Sequence, residues 1–169
     1  MLRSIPPLVL LSFFTALGVP AASVADPVED RLAIMDALSQ YARRWDAKEA
    51  SAFAALFTED AVMEVRVDGT LVEGSRVVGR SAILAYARTS HEGRLADRQS
   101  RHHFSGLVFL ELEADRAVTD HMALITHQIA GETAPEIVMS GTYRNTWRKT
   151  PLGWRIHERI LSVDRPRVD

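Results

Sequence analysis

The chain has 169 residues, 47% of them hydrophobic and 25% charged, with a formal net charge of −2 and no Cys. Those proportions are globular and exclude a disordered, collagenous or coiled-coil chain. The slight acidity excludes a broad basic footprint, so no nucleic-acid partner is expected, and the missing Cys removes thiol nucleophiles, disulfides, Fe–S clusters and cysteine-ligated zinc.

Residues 1–25 carry one charged side chain, Arg3, ahead of an apolar run from Leu8 to Val19. Pro20 follows, and Ser23 and Ala25 are the small residues that a signal peptidase requires. The segment is expected to be a secretory signal cut after Ala25. A membrane anchor would need roughly 20 apolar residues, and Pro6, Pro7 and Pro20 crowd the ends of this run. Loss of the segment leaves 144 residues, 26–169, with net charge −3 because Arg3 goes with it. That length suits a single domain with a substantial core. No later segment is long and apolar enough to span, so the mature form is expected to be periplasmic or secreted, with no membrane span.

Asp26-Pro27 then reads as a helix start. Leu32, Met35, Leu38, Ala42 and Trp45 recur at helical steps, predicting an amphipathic helix over 27–45. Ala47 to Phe57 predicts a second helix, with Ala50, Phe53, Ala54 and Phe57 on one stripe. Ala61 to Val67 alternates and ends at Asp68-Gly69, a hairpin signal, after which Thr70–Glu73 returns. A third helix is predicted over Ala82–Thr89, and the polar run Ser90–Ser100 is expected to be a loop, either a lid or a solvated connection.

From residue 101 the period becomes two. Strands are predicted over His103–Leu112, Ala117–Gly131, Ile137–Lys149 and Trp154–Val163, joined by short turns and therefore antiparallel. The order gives an α+β protein with three helices in the N-terminal half, gathered on one face of a curved antiparallel sheet. Such a sheet wraps a pocket suited to a small apolar ligand.

Strand alternation places His103, Ser105, Leu107 and Phe109 on one face, and His121, Ala123, Ile125 and His127 on one face of the next strand. If both faces line the pocket, His103 and His127 converge and His102 points away. Asp46, at the junction of the first two helices, has two readings. It can cap the next helix, or it can bond a pocket His, fix its tautomer and leave the other ring nitrogen to accept a proton from carbon. His121 is expected to be structural. No His-x-x-x-His or His-Glu-x-x-His spacing occurs, no Gly-x-Ser-x-Gly elbow and no Gly-rich phosphate loop. Neither a metal nor a cofactor is therefore expected.

The runs Leu38–Asp46 and Ala52–Ala61, the segment Gly79–Ile83, the motif Arg101-His-His-Phe-Ser-Gly106 and the closing Gly153–Arg159 occur in one order. That order resembles the SnoaL-like branch of the NTF2-like superfamily over nearly all of 28–164. The resemblance implies a cone-shaped fold. Within it, the pattern is similar to scytalone dehydratase and its relatives, a bile-acid dehydratase and a dehydrochlorinase. It implies Asp46 and His103 as a general-base pair, Tyr41 as a helix tyrosine in the pocket, and His127, in Ile125-Thr-His127-Gln128, as a second pocket histidine. Arg159 or Arg144 would stand for an arginine that relatives use on their last strands. Phe57, Ser105 and Ile125 complete the expected substrate contacts. The implied activity is a cofactor-free lyase or isomerase, dehydratase-like, acting on a hydrophobic and uncharged small molecule. The alternatives are an exported protein that sequesters a hydrophobic ligand, or an accessory subunit of a larger enzyme. The resemblance also implies a homodimer through the outer sheet face.

Overall fold

A computed structural model of the chain describes residues 26–165; the expected leader, residues 1–25, lies outside the described residues. Helix α1 spans Pro27–Asp46, and its N-cap Asp26 accepts a 2.8 Å hydrogen bond from the Val28 N–H. Its buried face is Asp30, Ile34, Leu38, Tyr41, Trp45 and Asp46. The expected stripe is therefore rotated: Leu32 and Met35 are 59% and 47% exposed. Asp30 takes the inward position because Lys149 Nζ and Trp154 Nε1 donate to its Oδ1 at 2.6 and 2.8 Å, which offsets the cost of burying a carboxylate.

α2 is a single short stretch, Ala50–Ala54, not the full Ala47–Phe57 expected. Lys48 adopts φ 59° and breaks the helix before it, and Phe57 already belongs to strand β1, Phe57–Val67. β1 returns through Asp68-Gly69, both at positive φ, into β2, Thr70–Leu71. β3, Val77–Val78, pairs with β1, and α3 runs over Arg80–Glu92. Because α3 outruns its expected end and β4 begins at Arg98, the expected Ser90–Ser100 loop contracts to residues 93–97, in which Leu95 is buried.

The long strands are β4, Arg98–Leu112; β5, Arg116–Ile129; β6, Glu136–Thr150; and β7, Gly153–Val163. With β1 and β2 they make one curved sheet in the order β2-β1-β7-β6-β5-β4. β4 to β7 form the expected antiparallel meander, whereas β1 and β7 pair in parallel. The helices pack on one face of this sheet. Phe53, Phe57, Ile83, Trp147 and Ile156, all 0% exposed, fill the space between. Among the described residues, no helix is long and apolar enough to cross a membrane.

β4 is not a uniform strand. Between the pairs Ser105↔Met122 and Val108↔Asp120, two β4 residues, Gly106 and Leu107, face one β5 residue, His121. This is a β-bulge, and Gly106 supplies the positive φ, 63°, that it needs. The extra residue reverses the alternation: Ser100, His102 and Phe104 point inward before it, and Leu107 and Phe109 after it.

Candidate active site

Asp46 is the last residue of α1 and is 8% exposed. It does not cap α2, whose N-cap is Glu49. Its carboxylate instead crosses to β4. Oδ1 accepts from Ser100 Oγ at 2.9 Å and lies 2.7 Å from His102 Nδ1, and Oδ2 accepts from the His102 backbone N–H at 2.9 Å. β4 is the edge of the sheet at this end, so the His102 N–H would otherwise be an unpaired edge donor. Gln99 Nε2 adds a 2.7 Å hydrogen bond to the Asp46 carbonyl. One helix end and one strand edge are thereby fixed to each other.

The histidine of the pair is thus His102, correcting the expectation of His103. His103 lies on the outer face, exposed, with Nε2 3.3 Å from Thr126 Oγ1. The misassignment came from carrying the Leu107–Phe109 alternation back through Gly106 as if the strand had no bulge. A carboxylate only accepts, so in the neutral imidazole His102 Nδ1 carries the hydrogen and Nε2 keeps the lone pair. Tyr41, Trp45 and Phe104 surround the His102 ring edge to face, with centroids 5.8 to 6.3 Å away.

His102 lines a cavity of about 300 Å³ between the helices and the sheet. Tyr41, His127, Ile125 and Arg159, all expected site residues, line it too. His102 also borders a groove between α1 and β4, together with Phe104, Ser105 and His121. Ser105 therefore reaches this groove and not the cavity, and Phe57 is core at 0% exposure. Arg144 is on the outer face, bound through Nε and Nη2 to Asp120 at 2.8 and 2.7 Å, so it too leaves the site.

Arg159 is 2% exposed. Its guanidinium is held between the rings of Tyr41 and Tyr143, 3.6 Å from each centroid, and donates through Nη1 to Asn145 Oδ1 at 2.7 Å. Nε and Nη2 have no protein partner among the described residues. The two ring faces compensate part of the cost of burying this cation. Burial raises the Tyr41 and Tyr143 hydroxyl pKa values, against the lowering effect of Arg159, so both phenols stay neutral and able to donate. Burial, with the Arg159 charge second, pushes His121 down to about 3, and its Nε2 is buried without a partner. His127 is lowered by burial and then by Arg98 and Arg94, which keeps it neutral.

Sequence reasoning missed His102, Trp45, Tyr86, Tyr143, Arg94 and Glu64 on the cavity wall. For His102 a signal existed: a glycine inside an alternating strand marks a bulge. For the others the signal is tertiary. Among the described residues no group of three or more His, Asp or Glu side chains is placed to hold a metal ion.

The chain belongs to the SnoaL-like domain family, whose model matches residues 26–160. No curated protein matches it in sequence. Among solved structures, it is similar to a Mycobacterium tuberculosis protein of unknown function, with 25% identity, 82% of this chain and 79% of that one covered, and TM-score 0.69. It is similar also to an NTF2-like protein with a cystatin-like fold from Novosphingobium aromaticivorans (26% identity, 80% and 82% covered, TM-score 0.69). A third structure from that organism, provisionally assigned as a scytalone dehydratase, shares the fold at 21% identity, 84% and 91% covered, and TM-score 0.69.

Proposed function

We propose that the protein is a cofactor-free lyase or isomerase, dehydratase-like, acting on a small molecule with an apolar body. The observation that carries this reading is the 2.7 Å contact between His102 Nδ1 and a buried Asp46 carboxylate, on the wall of the cavity. His102 Nε2 takes a proton from a substrate carbon. The electrons of the broken C–H bond form a double bond, and the leaving group departs from the neighbouring carbon or, in an isomerisation, a carbonyl oxygen takes the charge. Asp46 holds the imidazolium that results. Tyr41, kept neutral by burial, donates to the departing or charged oxygen, with neutral His127 as a second hydrogen-bonding group. Arg159, fixed between two rings, supplies preorganised positive charge for the negative charge that develops.

A second part of the reading concerns setting. The leader-like residues 1–25 favour an exported, single-domain protein. Val108, Leu110 and Met122 are each more than half exposed and, with Leu124, give the outer face of β4 and β5 an apolar patch that suits a homodimer.

The test is a substrate screen with the wild type, His102→Ala and His103→Ala. Loss of the base should lower turnover by about 10²–10⁴-fold in His102→Ala, while His103→Ala retains wild-type turnover. Turnover that survives in His102→Ala refutes the reading, and binding without turnover across the whole panel replaces it with ligand sequestration.

A further inference from the structure

The cavity wall carries more positive charge than its own carboxylates balance. Glu64 is the one acidic residue lining it, and two guanidinium groups already cover that carboxylate: Arg66 Nε donates at 2.7 Å and Arg76 Nη1 at 2.9 Å. Asp46, behind the wall, is taken up by Ser100 and His102. Two further cations line the cavity, Arg159 at depth and Arg94 at the rim. Among the described residues, neither forms an ion pair with a carboxylate. Arg94 touches only neutral groups: Tyr86 Oη at 3.3 Å, Ser90 Oγ at 3.5 Å, and the Trp45 ring, 6.0 Å from its centroid. Both hydrogen bonds come from Nη2, which leaves most of its five N–H donors unused.

The same guanidinium charges bear on nearby histidines, where carboxylates partly oppose them. After burial, the charge of Arg94 is among the causes that lower His127 and His91, and Arg159 lowers His121. The near-neutral charge of the whole chain does not determine this local field.

We infer that the molecule bound in this cavity carries a carboxylate, seated on Arg94 at the rim while its apolar body extends inward toward Tyr41 and His102. The inference rests on the reading of this cavity as the substrate site and names the class of substrate. Arg159 is then left free for charge that develops at the reacting centre. A carboxylate matches the planar fork of an arginine with two parallel hydrogen bonds.

Isothermal titration calorimetry at about pH 7.5, where a carboxylic acid is ionised, tests this with three probes: 2-naphthoate, its methyl ester and its amide. The wild type should bind the acid about tenfold or more tightly than either neutral probe, the scale of a charge-assisted hydrogen bond. Arg94→Gln should abolish the preference by weakening the acid far more than the neutral probes, and Arg94→Lys should restore part of it. Arg94 is exposed, so these variants fold. Equal binding of acid and ester by the wild type, no binding of the acid, or a preference unchanged in Arg94→Gln would each overturn the inference. Binding is read without turnover. Failure of the general-base reading therefore leaves this result standing, and failure here leaves the base test untouched.

Discussion

Asp46→Asn probes the link between α1 and β4 with almost no change in shape. The carboxylate accepts three hydrogen bonds: from Ser100 Oγ, the His102 backbone N–H and His102 Nδ1. An asparagine keeps its oxygen toward the backbone N–H and places its amide NH₂ where Oδ1 stood. The Ser100 hydroxyl can rotate to accept. The imidazole can accept only by moving its hydrogen from Nδ1 to Nε2. No bond is lost, but three charge-assisted bonds become neutral, at roughly 0.5–1 kcal/mol each. The expected cost is about 1.5–3 kcal/mol, or roughly 4–9 °C in Tm for a domain of this size. Urea unfolding measures the first quantity, and long-range ¹H–¹⁵N correlation of the imidazole rings measures the tautomer. The His102 signals should change from the Nδ1–H to the Nε2–H pattern while those of His103 stay in place. A variant that keeps the Nδ1–H pattern, or unfolds at the wild-type midpoint, would refute the assignment of this pair and its energetics.

Two further predictions follow from buried groups and backbone. His121 stays neutral in the folded protein down to about 3, through burial and the Arg159 charge, whereas an unfolded chain protonates it below the ordinary histidine value of 6.5. The unfolded state then binds more protons across that window, so stability is lost as pH falls from about 6.5 toward 3, by about 2 kcal/mol at pH 5. Urea midpoints at pH 7.5 and 5 should converge in His121→Gln, and an undiminished fall in that variant removes His121 as a source of acid sensitivity. Gly106→Val forces a β-branched residue to φ 63° and sets a Cβ 2.6 Å from Met122 Cε. A cost of about 1–3 kcal/mol is expected from the backbone alone, read by thermal unfolding, and wild-type stability would show that the bulge is not needed.

Much of the fold could be read locally. The Asp26-Pro27 start, the Asp68-Gly69 hairpin and the four long strands depend on near neighbours, and each stands where its pattern put it except that β4 begins five residues early, at Arg98. The rotation of α1 was not legible, because Asp30 is turned inward by Lys149 and Trp154, more than a hundred residues away. The pairing of β1 with β7 in parallel is equally non-local. Of the site, Asp46, Tyr41, His127 and Arg159 were identifiable by residue, but the choice between two adjacent histidines hung on one inserted glycine. Period-2 reasoning carries no memory of a bulge, so it assigned His103 where the chain presents His102. Arg94 was out of reach because its meaning lies in the carboxylates it lacks.

β7 is the last strand among the described residues and sits in the middle of the sheet, between β1 and β6. It alone pairs with both sides, so without it the β1–β2 hairpin and the β4–β6 meander would share no strand pairing. Arg159 arrives on that same strand, so the cavity acquires its buried cation in the step that joins the halves. A chain cut before β7 would lose the seam of its architecture, so that cut should be as damaging as one near the middle of the sheet.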